Sequence, residues 1–345
     1  MNYELLIIPL AYLLDLVFGD PEWHWHPVRL IGRLIEKLEN KLNSGRVNPA
    51  LSTAKKDCEA PPFLTKGRDE VRKSGVNKKF CGAILVILVV GATAFCVLGV
   101  LRLAKFIHPF FYYGISVLFI YFSLSIKSLT VEADRVYKDL KSGDIQKARS
   151  DLSMIVGRDT KGLDEPEIIR ASVETVAEST MDGIVAPLFY AFLGGPVLVW
   201  VYKAINTLDS MVGYKNERFI EFGRLSALLD GAMNIVPAKI TCFLISISSF
   251  CYGKDWLNSL KQGSKYFFQG PKINSESTEA AMAGGLKIRL GGVNFYNSAP
   301  IYKPFIGEDF QPLAIEHIRE SIRIAYISSA LMLILGMIAA GSRNL

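Results

Sequence analysis

Four long apolar runs without any charged side chain dominate this sequence. They contain no Asp, Glu, Lys, Arg or His and cover residues 81–101, 109–126, 184–202 and 324–342. An uncharged apolar run of about 18 residues or more is a candidate membrane helix. Four such runs exclude an ordinary soluble globule, and the sequence predicts an all-α polytopic membrane protein with about four to six membrane helices.

The apolar stretch that follows Met1 is a fifth candidate. It lacks the basic n-region and the small-residue cleavage site of a signal peptide, and it continues into Asp15 and Asp20. We therefore expect a retained first membrane segment near residues 5–19. The five cysteines include no CxxC pair, which excludes a disulfide framework and a cysteine-rich zinc site.

The distribution of Lys and Arg predicts the topology. Residues 19–80 contain 13 of them and residues 102–108 contain two. Because basic residues accumulate in cytoplasmic loops, residues 19–80 and 127–323 are predicted inside, and the short 102–108 loop and the C-terminus outside. No nucleic-acid-binding motif accompanies the net charge of +6, so nucleic acid is not an expected partner.

Residues 184–202 lie between two regions that are both predicted to be cytoplasmic. A break at Gly194-Gly195-Pro196 divides this run into halves of about ten residues, each too short to span the bilayer. We therefore predict a re-entrant hairpin, and a second shallow hairpin over 235–252. Two ordinary crossings, with residues 209–234 outside, remain the alternative.

The sequence predicts one integral-membrane catalytic domain over residues 1–345, with cytoplasmic helical loops. Residues 44–79 are rich in Ser, Asn, Pro and charged residues without apolar periodicity, which indicates a flexible cytoplasmic insertion.

A row of charged residues spaced four apart precedes the third apolar run: Arg170, Glu174, Glu178 and Asp182. On a helix they share one face. Three stacked carboxylates repel one another unless a cation lies among them, and Mg²⁺ takes one or two carboxylates together with phosphate oxygens. A solvated helix face and a metal site both explain this row.

A second polar cluster ends the same apolar run, with Lys203, Asn206 and Asp209 at helical spacing. Lys203 could extend to the lipid headgroups or share a polar pocket with its neighbours. The polar and basic residues that follow indicate an anion-binding surface, and they are Tyr214, Lys215, Asn216, Arg218 and Arg224.

Two further clusters carry polar chemistry. Near the N-terminus, Asp15 lies inside an apolar segment and Asp20, His26 and Arg29 follow it; His26 could act as a general base or as a structural donor. The second cluster is the glycine-rich stretch 280–294, where paired glycines allow backbone amides to approach an anion. Its candidate residues are Lys287, Arg289, Gly291, Gly292 and Asn294.

These clusters together resemble one family, adenosylcobinamide-phosphate synthase, the CobD/CbiB family of cobalamin biosynthesis. The matching stretches are LLDLVFGDP and HPVRLIGRLI within 13–35, GRDTKGLDEPEIIRASVETVAESTMDGIVAPLFY at 157–190, NTLDSMVGYKNERFIEFGRLSALLD at 206–230 and EAAMAGGLKIRLGG at 279–292. They cover most of the chain in the order that the family shows.

The resemblance implies a multi-pass enzyme of the cell membrane whose active site faces the cytoplasm. Such an enzyme joins adenosylcobyric acid to aminopropanol, or to aminopropanol phosphate, through an amide bond, with ATP and Mg²⁺. The lipid bilayer is its surrounding partner, and a homo-oligomer or an association with other late cobalamin enzymes is left open.

Three groups of residues are assigned roles on this basis. The catalytic or orienting candidates are Asp15, Asp20, His26, Glu174, Glu178 and Lys203. The candidates for substrate and phosphate binding are Arg29, Asn206, Tyr214, Lys215, Asn216, Arg218, Arg224, Lys287, Arg289, Gly291, Gly292 and Asn294. The candidate Mg²⁺ ligands are Glu174, Glu178, Asp182 and Asp209.

Two other classes of protein fit the sequence less well. A transporter or corrinoid-binding membrane protein also places charge at half-hairpins, but transporters usually show paired repeats, and no repeat is visible here. A non-catalytic membrane scaffold for late corrinoid enzymes would have no need for clusters of matched charge.

Overall fold

The computed structural model describes residues 4–21, 23–43, 67–214, 216–269, 274–296 and 299–343. Within these residues the chain forms twelve α-helices and one small sheet, which confirms the helical class. The helices are α1 Glu4–Phe18, α2 Pro27–Leu42, α3 Gly67–Ile107, α4 Pro109–Tyr121, α5 Ile126–Lys141, α6 Ile145–Leu152, α7 Glu165–Ser179, α8 Ala186–Val212, α9 Arg224–Cys251, α10 Trp256–Ser264, α11 Asn274–Leu286 and α12 Glu316–Arg343.

The sheet is an antiparallel hairpin of β1, Arg289–Tyr296, and β2, Ala299–Gly307. Its register pairs Gly292 with Lys303 and Val293 with Tyr302, and an irregularity lies between Leu290 and Gly292. The helical prediction did not include this hairpin.

Five helical segments are long and apolar enough to cross a membrane, and a shorter apolar helix covers Leu6–Phe18. This confirms a polytopic membrane protein. The five segments are Asn77–Ile107, Pro109–Lys141, Glu165–Val212, Arg224–Cys251 and Glu316–Ser342.

Helix α8 is interrupted where the sequence predicts a break. Gly194 has φ −150° and ψ 22°, and Gly195 has φ 65° and ψ −157°, the latter in a region that glycine adopts at little cost. The break is confirmed, and the re-entrant path stays a prediction. The second hairpin is wrong, because α9 continues as one helix with Pro237 inside it. An unbroken helix does not turn back to the side on which it began, as a hairpin would.

The chain divides into two compact units. The first contains Met1–Glu22, Val100–Val199 and Gly231–Leu345, and the second contains Trp23–Gly99 and Trp200–Asp230. The single catalytic domain stays a prediction. Of the predicted flexible insertion, residues 44–66 lie outside the described residues, and residues 67–79 form the first turns of α3.

In the first unit, α12 packs on α5 and α7. Fully buried Val136, Val176 and Ile324 belong to this core. Between α7 and α8 the chain forms a π-helical turn, Thr180–Val185, and π-helical turns are frequent at functional sites.

Helices α1 and α4 run in the same direction. The hydroxyl of Tyr121, at the end of α4, donates a hydrogen bond to the carbonyl of Gly19, just after α1. Both helices therefore end at the same side, as expected if both cross the membrane in one direction.

Candidate functional site

Helix α7 begins at a well-formed cap. The Asp164 side chain accepts a hydrogen bond from the Glu167 N–H at 3.0 Å, and Pro166 lies in the first turn, where a missing N–H costs nothing. This start places Arg170 and Glu174 one turn apart on the same face.

The carboxylate of Glu174 lies at the centre of a buried polar network and is 1% exposed. It accepts hydrogen bonds from Arg170 Nη1 at 3.0 Å, from the Gly291 N–H at 2.8 Å and from Arg158. Both of its oxygens are therefore occupied by donors from three parts of the chain.

Asn294 of β1 completes this network from the hairpin. Its Oδ1 accepts from Arg158 Nη1 at 2.6 Å and from Arg170 Nη2 at 2.9 Å. Arg170 also donates to the carbonyl of Val293 at 3.1 Å. A buried charge is costly unless it is paired and hydrogen-bonded, and here each guanidinium has a carboxylate and an amide oxygen.

A second buried polar contact joins α11 to β2. Lys303 Nζ lies 2.7 Å from each carboxylate oxygen of Glu279, which is 1% exposed. Burial raises the pKa of Glu279 to about 8, Glu174 and Glu178 add repulsion, and Lys303 opposes both effects. Burial acts to lower the pKa of Lys303, but Glu279 and Glu174 outweigh it, so the pKa is raised and Lys303 keeps its charge.

Glu178 differs from the other acids of this site because solvent reaches its side chain, although the residue lies deep among protein atoms. It lies one turn beyond Glu174 on α7. Lys303, Glu276 and Arg158 are among the charges that act on it. It is thus a carboxylate that a ligand could reach beside the buried network.

At Glu174 the cations that relieve the repulsion of the stacked carboxylates are Arg158 and Arg170. Among the described residues, no group of three or more His, Cys, Asp or Glu is arranged to hold a metal ion. Glu174 does not fit Mg²⁺, since all its oxygens already accept hydrogen bonds. Glu178, Asp182 and Asp209 stay predicted ligands, and one or two carboxylates suffice when phosphates supply the other oxygens.

The glycines of 280–294 serve two structural purposes. A Cβ on Gly284 would lie 2.6 Å from the carbonyl oxygen of Asn258, so α10 and α11 can approach only at glycine. Gly291 has φ +85° and donates to Glu174. The anion that this backbone binds is therefore a carboxylate of the protein itself. The neighbouring Gly292 has φ +111°.

Lys287 and Arg289 lie at the surface. Lys287 Nζ is 3.2 Å from Asp255, and Arg289 is 3.1 Å from Asp309 and stacks 4.4 Å from the ring centroid of Phe305. Their role in phosphate binding stays a prediction.

Asp15 is fully buried and caps a helix from a distance. Its Oδ2 accepts from the N–H groups of Ile126, at 2.9 Å, and Lys127, at 3.3 Å. Ser125, the N-cap residue of α5, makes no such side-chain bond. This contact favours a structural role over the catalytic one predicted for Asp15. Asp20 is half-buried just beyond α1.

The second unit holds the other predicted cluster. Lys203, Asn206 and Asp209 are half-buried on α8, and Asn206 Nδ2 donates to Asp230 at 3.2 Å. This bond supports a shared polar pocket at Asn206. His26 is buried just before α2, and Arg29 is exposed on it.

Arg218 forms a two-pronged pair with Glu39 of α2, at 2.9 and 3.0 Å. Asn216 accepts from the Phe219 N–H at 3.0 Å. Tyr214 and Arg224 are exposed, and Lys215 lies outside the described residues.

Sequence reasoning missed Arg158 and Lys303. Arg158 stands in the quoted run GRD, beside the acidic row, and this proximity could have indicated a partner for Glu174. Nothing in the sequence marks Lys303, because its contact with Glu279 depends on the register of the hairpin.

The fold and this site define a polytopic helical membrane protein with a buried network of carboxylates and cations. The chain belongs to the CobD/CbiB family, since the family model described as CobD/Cbib protein matches residues 8–325.

Curated relatives cover nearly the same length. Cobalamin biosynthesis protein CobD of Clostridium perfringens is 40% identical over 96% of each chain. The protein of the same name from Geobacter metallireducens is 39% identical over 96% of this chain and 95% of its own. Cobalamin biosynthesis protein CbiB of Salmonella typhimurium is 39% identical over the same shares. No solved structure matches the chain.

Proposed function

We propose that this protein acts in cobalamin biosynthesis as an ATP-dependent ligase. It joins the carboxylate of adenosylcobyric acid to the amine of aminopropanol or aminopropanol phosphate. Membership of the family and the names of the relatives support the pathway. The observation that carries the chemistry is Glu178, a carboxylate within reach of solvent on which the charge of Lys303 acts.

The reaction needs two kinds of assistance. A carboxylate is a poor electrophile, so transfer of the γ-phosphoryl group of ATP converts it to an acyl phosphate and releases ADP. The amine then attacks the acyl carbon, the amide bond forms, and phosphate leaves with the electrons of the broken C–O bond. The amine must also lose a proton, which requires a general base.

Each described group has a role that its environment allows. Lys303 keeps its charge and is 27% exposed, so it binds the transferring phosphoryl group. Glu178 accepts the proton of the amine. Mg²⁺, when bound, neutralises phosphate charge, and Asp182 would ligate it.

The network around Glu174 acts through the hairpin. Arg158, Arg170 and Glu174 fix the β1 backbone at Gly291 and Val293. Since Lys303 is paired with Gly292 across the hairpin, fixing β1 also fixes Lys303. These arginines are positioning residues, and orientation of bound reactants is a large part of catalysis.

The exposed face of the hairpin suits a large, partly apolar substrate. Tyr302 is 63% exposed and Phe305 52%, with their rings edge to face at 6.1 Å. Exposed aromatic groups of this kind mark binding surfaces. We place the corrinoid against this face and the site on the cytoplasmic side, where ATP is available.

One assay tests the proposal. Purified protein in detergent receives adenosylcobyric acid and Mg-ATP with either aminopropanol or its phosphate, and mass spectrometry follows the amide product. We expect the amide together with one ADP per product. Glu178→Gln should lower kcat at least tenfold, while Glu132→Gln, at an exposed ion pair on α5, should not. Corrinoid binding without product or ADP would instead support a transporter or scaffold.

A further inference from the structure

An apolar groove of about 670 Å³ lies between α1 and α4, away from the charged site. Its walls include Leu10, Leu13 and Val17 of α1 and Phe111, Ile115 and Leu118 of α4. None of the residues that line it is charged. Its volume lies within the range of about 300–1,000 Å³ that is typical of pockets for small ligands.

Taken alone, α1 and α4 are shorter than the hydrocarbon layer of a membrane, although the longer segment that contains α4, Pro109–Lys141, reaches across it. At 15 and 13 residues they measure about 22 and 20 Å, against about 30 Å of hydrocarbon. Leu13, Val17 and Phe110 are more than half exposed, as apolar side chains on the outer face of a membrane helix are. This face is therefore in contact with lipid.

One cation, Lys105, lies at one end of the groove, and a second lies one turn away on the same helix. Arg102 and Lys105, three residues apart near the end of α3, are both exposed. Lys105 Nζ lies 5.8 Å from the ring centroid of Tyr112, and the Tyr112 ring lies 5.5 Å from that of Tyr113, which lines the groove. Tyrosines next to cations at a helix start are typical of the headgroup level.

We propose that this groove binds one phospholipid, with an acyl chain along α1 and α4 and its phosphate at Arg102 and Lys105. An apolar groove that ends at two cations is complementary to a lipid that has an apolar chain and an anionic headgroup. A second copy docked through this face would bring its own Arg102 and Lys105, and the lining residues offer no acid to pair with them.

Gly114 allows a direct test. It lines the groove, and a Cβ there would meet no atom within 4 Å, so Gly114→Leu fills the groove without a clash at its base. Gly99→Leu on α3 is the matched control, because a Cβ at Gly99 also meets nothing within 4 Å and Gly99 does not line the groove.

Native mass spectrometry of protein purified in mild detergent measures retained phospholipid. We expect one phospholipid per chain in the wild type and in Gly99→Leu, and at least tenfold less in Gly114→Leu. When phosphatidylglycerol is added, the double variant Arg102→Gln, Lys105→Gln should retain less of it than the wild type in the same assay. Equal retention by both leucine variants would overturn the proposal in favour of unspecific annular lipid, and a dimer lost only in Gly114→Leu would assign the groove to a second copy.

Discussion

Glu174 of α7 accepts a hydrogen bond of 2.8 Å from the backbone N–H of Gly291 on β1, across 117 residues of sequence. Gly291 has φ +85°, and a Cβ there would lie 2.2 Å from the carbonyl oxygen of Pro304. Only glycine allows the β1 backbone to present this N–H to the carboxylate. The contact couples the acidic helix to the strand hairpin.

Glu174→Gln should therefore destabilise the protein strongly. Removing one partner of a buried ion pair leaves the other charge uncompensated and lowers the free energy of unfolding by about 3–5 kcal/mol. Thermal unfolding in detergent measures the loss. Glu167→Gln, at a partly exposed partner of Arg170, should cost about 1 kcal/mol or less. Equal effects of the two variants would contradict the central position of Glu174.

Asp15→Ala should weaken the start of α5. The change leaves the N–H groups of Ile126 and Lys127 without their acceptor in a buried place, at a cost of about 1–3 kcal/mol. Asp15→Asn retains one amide oxygen as an acceptor and should fall between alanine and the wild type. Hydrogen exchange of the Ile126 amide reports the cap directly. An unchanged exchange rate of the Ile126 amide in Asp15→Ala would disprove that Asp15 caps α5.

Gly284→Ala should loosen the contact between α10 and α11. The added methyl meets the Asn258 backbone at 2.6 Å, and overpacking of this kind costs about 1–3 kcal/mol. The control is Gly162→Ala, where a Cβ meets no atom within 4 Å. If the two variants unfold at the same temperature, the helices adapt and the glycine is not required.

Glu279 should make the stability depend on pH. Its pKa is raised from 4.5 to about 8, so the folded protein holds a proton that the unfolded chain releases. The contribution is complete below about pH 4.5 and is lost as pH rises through about 8. Melting temperatures at pH 6 and pH 9 should differ more in the wild type than in Glu279→Gln. An identical pH dependence of the two would exclude a raised pKa at Glu279.

Lys303→Gln should impair the proposed reaction in addition to the stability that it loses with the Glu279 contact. Loss of a charged hydrogen bond to phosphate costs about 1.5–3 kcal/mol, or at least tenfold in kcat/KM for ATP. Lys261→Gln, at an exposed position of α10, serves as the charge-matched control. Normal kinetics in Lys303→Gln with an unchanged melting temperature would remove Lys303 from the site.

The helical class, the membrane character and the break in α8 follow from local sequence. Uncharged runs such as 81–101 and 324–342 can satisfy their backbone in lipid only as helices. Gly194 and Gly195 permit the dihedral angles of a break wherever they occur. The family follows from the quoted motifs, which read in order along the chain.

The partners of the charged residues were decided by tertiary structure. Spacing of four placed Glu174 on a face with Arg170 and Glu178, but it did not reveal that Arg158 and Gly291 would also occupy its oxygens. In the sequence, Asp15 is a costly charge inside an apolar segment. In the structure, it caps a helix that begins 111 residues further along the chain. A sequence shows which groups are charged, but the cost of burying a charge is offset by whichever donor the fold brings within about 3 Å. That donor comes from a distant part of the chain, and only the packed structure places it.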